Sequence, residues 1–369
     1  MSTAARAAVI RKTGAPWVIE DVEVATPRED EVLVRMVGTG ICHTDMGCKD
    51  GHFPVPMPIV LGHEGSGVVE AIGAKVSKVK VGDHVVMSFD SCGHCHSCDA
   101  HLPSYCYEFY PRNLSGMRSV DGSATITSKG EALNAVFFCQ SSFATYAVAR
   151  EINTIVVDKS LPLEILGPLG CGIQTGAGAA VNALGIKKGD SLAIFGGGAV
   201  GLSALLGARA VGAGTVIVVE PNVGRGKLAL ELGATHVINP KETADVLAKI
   251  KELTGAGVHF GLDTTGIPAV IAAGVEALLP NGMMGLLGVP PPEATVPANM
   301  MSMLVRGIGV KYIVEGDADP QEFIPRMAGW YKEGKFPFDR LIKKFPFDQI
   351  NEAAQSSLSG DVIKPVLVF

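Results

Sequence analysis

SLAIFGGGAVG, residues 191–201, carries an apolar run straight into a glycine turn and out into a helix-forming stretch. Gly196, Gly198 and Gly201 have the spacing G-x-G-x-x-G. The first glycine permits a tight turn, the second lets backbone approach a pyrophosphate, and the third lets the helix pack closely on the strand. The helix start then offers unpaired N–H groups to phosphate oxygens. Glycine clusters also make plain turns, so the setting has to decide. Here the next apolar run, TVIVVE, ends in Glu220. A carboxylate at that point accepts hydrogen bonds from ribose hydroxyls and repels a 2′-phosphate, which predicts NAD rather than NADP. Arg225 lies close by and could touch the ribose or a phosphate.

The same rhythm continues on both sides. TGAGAAVNALG reads as a helix, AVGLSALLGARAVG as a helix, and VGRGKLALELG as a helix. HVINP, ETADVLAKIKELTG, FGLDTTG and GMMGLLGV extend the alternation of strand and helix. That pattern predicts βαβ units and a doubly wound parallel sheet over residues 171–314. Residues 1–170 have a different texture. EVLVRMVG, EGSGVVEAIG and GDHVVMSF are short Val-rich strands broken by glycines, so a β-rich domain is expected there. The tail, residues 315–369, contains a helix within KFPFDRLIKKFPFDQINEA and a terminal strand IKPVLVF, and is expected to return to the first domain.

The 369 residues are enough for two domains with separate cores. A net charge of −6 argues against nucleic acid as partner. The N-terminal apolar run is too short for a secretory signal, and no stretch approaches a bilayer span, so a cytoplasmic location with no membrane partner is expected. In such a reducing compartment the eight cysteines favour metal binding over disulfides.

Four of them fall in DSCGHCHSCDAHLPSYC: Cys92, Cys95, Cys98 and Cys106. Short Cys-x2-Cys steps present two sulfurs to one ion, and four thiolates make a closed, structural zinc site. The neighbouring His94, His96 and His101 are read as exposed rather than as ligands. Three further residues stand out by context: Cys42 in GICHTD, His63 in LGHEGSG and Cys171 in GPLGCGIQTGAG. Taken singly, a lone cysteine is usually a small core hydrophobe and a lone histidine a satisfied imidazole. The long intervals between them do not join them.

A resemblance does. Gly62-His63-Glu64-x2-Gly67-x5-Gly73, the four-cysteine lobe, Cys171 just before the nucleotide half, and the G-x-G-x-x-G loop stand in the order found in zinc-dependent medium-chain alcohol dehydrogenases. The chain resembles that family over nearly its whole length. The resemblance implies a GroES-like catalytic domain joined to a Rossmann domain, and two zinc ions per chain. Cys42, His63 and Cys171 would be the catalytic ligands, leaving a position open for the alcohol. Zinc would acidify the alcohol and NAD would take its hydride. Asp45 matches the carboxylate that orients the ligand histidine, Glu64 a glutamate able to approach the metal, and Thr44 the hydroxyl that takes the proton. His43 and Lys364 match pyrophosphate contacts, and Thr175 a position near the nicotinamide.

One departure concerns the histidine that many members carry five residues after the first ligand, as a proton relay. Gly47 stands there, which is expected to leave room for water. Phe53, Ser88 and Phe137 fall where pocket side chains lie, and an aromatic-lined slot suits a bulky apolar alcohol. GICHTD, PVPMPIVLGHEGSG and GPLGCGIQTGAG are most similar to the aryl and allylic branch, the benzyl alcohol and geraniol dehydrogenases. A glutathione-dependent formaldehyde dehydrogenase and a non-catalytic zinc and nucleotide-binding protein are the competing readings. The long segment between Cys106 and Phe137 resembles dimeric members, so a homodimer is expected, paired through an edge strand after Pro297.

Overall fold

The structure, a computed structural model, describes residues 2–291, 293–296 and 299–369. The chain divides into two compact units. One runs to Gly172 and adds Asp319–Lys332 and Asp339–Phe369, and the other comprises Ile173–Ala318 and Glu333–Phe338. The division falls two residues after position 170, and the chain returns at Asp319 rather than at 315. Glu333–Phe338 groups with the second unit, where Phe336 and Phe338 are fully buried.

The first unit is built on two sheets. Ile59–Val60, Thr3–Ile10, Val18–Val24, Ile126–Ser128 and Glu131–Leu133 form an antiparallel sheet in that spatial order. The second sheet is ordered Thr154–Val156, His84–Met87, Gly65–Ile72, Glu31–Gly40, Lys364–Val368 and Ile342–Pro346, with Tyr146–Arg150 also paired to Glu31–Gly40. Glu31–Gly40 is central and almost wholly buried, which is why its apolar run VLVRMVG shows little alternation. The C-terminal strand is antiparallel to it, with Val366 opposite Gly40. That pairing delivers Lys364 to the ligand-bearing end of the sheet. The helix expected within KFPFDRLIKKFPFDQINEA starts at its end, at Ile350, and the residues before it form the strand Ile342–Pro346. Lys343 and Lys344 are both exposed and Phe345 is buried, so it is the parallel pairing with Lys364–Val368, not a clean period of two, that makes this segment a strand.

The second unit holds a six-stranded parallel sheet. Its order is His236–Ile238, Val216–Val219, Leu192–Phe195, Val258–Asp263, Leu278–Leu286 and Gly309–Tyr312. LAIF and VIVV are buried along their whole length, as strands covered on both faces must be. The expected helix in ETADVLAKIKELTG begins only at Val246, because the Asp245 side chain caps it by accepting from the Ala248 N–H. TGAGAAVNALG forms the helix Gly172–Gly178 and then a π-helical turn, Ala179–Ala183.

Pro297 itself lies outside the described residues. C-terminal to it the chain forms the helix Met300–Arg306 before it reaches the edge strand Gly309–Tyr312, so the expected strand is set back by a helix. The segment between Cys106 and Phe137 is also more ordered than a loop. It contains the helix Phe109–Asn113 and the hairpin Ile126–Ser128 with Glu131–Leu133. No helix among the described residues is long and apolar enough to cross a membrane.

Candidate active site

Cys42 follows the strand Glu31–Gly40 by two residues and caps a helix. The helix His43–Asp50 has Cys42 at its N-cap, and Asp45 reaches back to accept from the Cys42 N–H at 2.9 Å. This is a capping box with an aspartate at the third position. The same carboxylate accepts from the Gly62 N–H at 3.0 Å and faces His63 Nδ1 at 2.9 Å. Asp45 is fully buried, so each charge-assisted bond contributes about 1.5–3 kcal/mol. One local device therefore starts the helix and orients His63.

The result is a cluster. Ligand atoms of Cys42, His63, Glu64 and Cys171 all lie within 4.8 Å of one another. His63 Nε2 is buried and has no hydrogen-bond partner of normal geometry, though the Cys42 sulfur is close enough to favour charge on the ring. A buried imidazole nitrogen aimed among two thiols fits a zinc ion, and the Cys2His donor set is the one zinc takes with an open position. The cysteines are free of disulfides.

The electrostatics agree. The hydrogen bond from Cys171 has the largest influence on Cys42, and with Lys364 and His63 it overcomes burial and holds the Cys42 thiol well below its usual range. Burial pushes His63 toward its neutral form, yet Asp45 prevails and raises the imidazole well above its usual range. A divalent cation at Nε2 would reverse that direction, because a ligating nitrogen cannot also carry a proton.

Glu64 is fully buried and does not stand alone. Lys364 Nζ donates to both of its carboxylate oxygens, at 2.8 and 3.0 Å, and the Gly172 N–H donates to Oε1 at 3.0 Å. Burial raises the Glu64 carboxyl against the pull of the ammonium. Lys364, expected at a pyrophosphate, is 3% exposed, and its ammonium donates to Glu64 and to the Ile41 carbonyl. His43 is exposed at the start of the helix, and Thr44 Oγ1 lies 3.7 Å from Cys42 Sγ.

Gly47 also departs from expectation. A Cβ at Gly47 would stand 2.7 Å from the Phe53 ring. The space assigned to water is filled by that phenyl group. Of the other pocket residues, Phe137 is fully buried against His63, with ring centroids 5.4 Å apart and edge-on. Ser88 is fully buried, and its hydroxyl donates to the Gly170 carbonyl at 2.6 Å, which ties it to the residue before Cys171.

Sequence reading passed over Gln140. Its Nε2 donates to the His63 carbonyl at 3.0 Å and the Ser88 carbonyl at 3.1 Å, and its Oε1 accepts from the Gly65 N–H at 3.0 Å. A lone amide inside the apolar run FFCQSSF was the available signal. Cys48 and Cys139 are buried core residues, and burial pushes the Cys48 thiol up to about 12.

In the lobe, Cys92, Cys95, Cys98 and Cys106 bring their sulfurs within 4.8 Å of one another. Backbone N–H groups of Cys92 and Glu108 donate to Cys106 Sγ at 3.2 and 3.4 Å. Backbone donors at Tyr107 and Cys98 draw the Cys95 thiol down to about 6. His94, His96 and His101 are exposed.

In the second unit, Gly196 has φ +103 and a Cβ there would overlap Thr264 Oγ1. A Cβ on Gly201 would overlap the Gly196 carbonyl, whereas Gly198 faces open space. The helix Ala199–Ala210 starts there, so a pyrophosphate can approach its N–H groups. Glu220 is 5% exposed and accepts from the Gly197 and Asn222 N–H groups at 2.6 and 2.7 Å. It is thereby held beside the glycine loop. Arg225 is partly buried one helical turn beyond. The Thr175 hydroxyl donates to Glu315 at 3.2 Å.

Residues 28–159 match the alcohol dehydrogenase GroES-like domain, and residues 199–331 the zinc-binding dehydrogenase domain. The chain is 56% identical over 365 residues to a geraniol dehydrogenase of Castellaniella defragrans, covering 99% of this chain and 98% of that one. The crystal structure of an alcohol dehydrogenase zinc-binding domain protein from Burkholderia ambifaria superposes with a TM-score of 0.98 at 50% identity, covering 100% of both chains. That of benzyl alcohol dehydrogenase from Acinetobacter calcoaceticus superposes with a TM-score of 0.96 at 46% identity, covering 100% of this chain and 99% of that one. With both domain models matched and a relative this similar along the whole length, the chain belongs to the zinc-dependent medium-chain alcohol dehydrogenase family.

Proposed function

We propose that this alcohol dehydrogenase oxidises primary aromatic or allylic alcohols, of the benzyl alcohol or geraniol type, reversibly to aldehydes, with NAD as hydride acceptor and two zinc ions per chain. The observation that carries this reading is His63 Nε2, buried without a normal hydrogen bond between two thiols. When bound, zinc acidifies the alcohol hydroxyl and NAD accepts hydride from its carbon. Cys42, His63 and Cys171 hold the catalytic ion, and Asp45 orients His63. The Thr44 hydroxyl takes the substrate proton while it can donate its own. The Gly196–Gly201 loop receives the pyrophosphate and Glu220 the adenosine ribose, with His43, Thr175 and Arg225 as further contacts. The lobe holds a structural ion. The named substrates of the two relatives support the substrate class, as does the aromatic setting of Phe53 and Phe137. A formaldehyde–glutathione adduct would need a cationic partner, and Lys364 is occupied by Glu64.

Turnover of benzyl alcohol and of geraniol with NAD and with NADP, together with zinc content, tests this. Two zinc ions per chain and a higher kcat/KM with NAD are expected. One zinc per chain, or a preference for NADP, overturns the corresponding part. Glu220→Gln should lower the NAD preference by about tenfold or more, the worth of one bond to a charged group.

The assembly is proposed to be a homodimer in the cytoplasm. Met300, Met301, Leu304 and Val305 expose an apolar helix face beside the edge strand Gly309–Tyr312. A second copy of the chain would cover both. Light scattering that gives a monomer or a tetramer at micromolar concentration defeats this.

A further inference from the structure

His63 is held by more than its ligand-orienting carboxylate. The bond to Asp45 fixes Nδ1, but one hydrogen bond leaves the ring free to rock about it. Two aromatic rings close off that motion. Phe138 stacks on the imidazole, with centroids 4.6 Å apart and planes 27° apart. Phe137 meets it edge-on at 83° and also meets Phe138, at 4.9 Å. Phe109 in turn backs Phe138 edge-on. All of these residues belong to the first unit.

The backbone beneath Phe138 is unusual. Phe138, Cys139 and Ser141 have φ of +48, +51 and +45, a left-handed conformation that side chains with a Cβ adopt at a cost. Three such residues within four positions persist only when surroundings over-determine them. Here the fastenings run to the His63 segment. Gln140 bonds the His63 carbonyl and the Gly65 N–H. Ser141 Oγ donates to the Val60 carbonyl at 2.7 Å and accepts from the Phe137 N–H at 2.9 Å. The Ser142 and Phe143 N–H groups donate to the carbonyls of Gly62 and Leu61. From the other side, the Asn153 amide donates to the Ser88 and Cys139 carbonyls at 3.0 and 3.2 Å. The strained turn is thus stitched to the segment between the strands Ile59–Val60 and Gly65–Ile72 that bears the ligand.

We infer that Phe138, presented by this left-handed turn, is a positioning residue that fixes the plane of the His63 ring so that Nε2 stays directed at the metal position between Cys42 and Cys171. Ordinary core filling does not require it, since an apolar side chain in a regular conformation would fill the volume without strain. The inference rests on His63 being a ligand of the catalytic zinc.

The test uses the full chain with both zinc sites loaded. Zinc release from each site into a chromophoric chelator is followed, and the visible spectrum is recorded after cobalt replaces the catalytic ion. Phe138→Leu should speed zinc release from the catalytic site by about tenfold or more, the usual size of an outer-partner effect. It should shift or broaden the cobalt d–d bands, while the lobe keeps its zinc at the native rate and the unfolding midpoint stays near that of the parent. Phe138→Tyr, which keeps the aromatic face, should restore both readouts. If Phe138→Leu does not accumulate as folded protein, Phe138→Met carries the same comparison at similar volume. Native release and an unchanged cobalt spectrum in the Leu or Met variant overturn the inference. A parent chain that holds one zinc, or His63→Ala that keeps two, overturns the ligand assignment instead.

Discussion

The two cysteine clusters present opposite ways of building a metal site. The lobe draws Cys92, Cys95, Cys98 and Cys106 from one continuous stretch, and its sulfurs are organised by nearby backbone N–H groups. The other cluster draws Cys42, His63 and Cys171 from three distant segments and buries them among charged partners, Asp45, Glu64 and Lys364. Four thiolates close a coordination sphere, whereas two thiolates and an imidazole leave it open. Local sites are cheap to assemble and chemically inert. An open reactive site needs ligands brought from afar, because its surroundings have to supply orientation and charge as well as donors.

Four substitutions can break or sharpen that contrast. His63→Ala has the largest expected effect. It should remove one zinc of two and lower turnover by about a thousandfold, the several kcal/mol a metal ion contributes. Metal analysis beside steady-state kinetics checks this, and two zinc ions with near-native turnover would mean that the buried cluster is not the reactive one. Thr44→Val keeps the shape but removes the hydroxyl next to Cys42, and should cost on the order of a hundredfold in kcat. Near-native alcohol oxidation by that variant would send the proton by another route, with His52 the next residue to replace. Gly47→His is not a simple test of that route, because the new side chain would first have to displace the Phe53 ring.

Asp45→Asn comes next. The amide can still accept from some of the three donors around it, but it loses the charge that faces His63. Catalytic-site zinc affinity should weaken by about tenfold to a hundredfold, with the lobe unaffected, as read by competition with a chelator. The smallest effect on turnover belongs to Cys98→Ser. The folded protein should retain near-native kcat, while it loses one zinc and its unfolding midpoint falls by roughly 5 °C or more in calorimetry. A variant of normal stability that loses turnover alone would make the lobe part of the chemistry and erase the distinction between the two sites.

The parallel sheet and the glycine loop were legible because their signals are local. A strand, a glycine turn and a helix lie within residues 191–210, and burial on both faces writes itself as LAIF and VIVV. The lobe was legible for the same reason, whereas Asp45 was named only by resemblance and its cap on the Cys42 N–H, three residues back, emerged with the structure. The strand Ile342–Pro346 was not legible, since IKKFP has no clean alternation and only its pairing with the C-terminal strand makes it one. Lys364 was assigned a phosphate by resemblance, but its neighbours in space are Glu64 and Ile41, some three hundred residues away. The stack of Phe138 on His63 and the Gln140 bridge depend on three left-handed residues that only surrounding hydrogen bonds can hold. What the sequence alone determined was therefore whatever a few consecutive residues can enforce: element type, the nucleotide turn and the closed metal lobe. Tertiary structure decided which buried groups meet at the open site and how they are charged, because a side chain out of water takes its partners, and hence its protonation, from whatever the fold places against it.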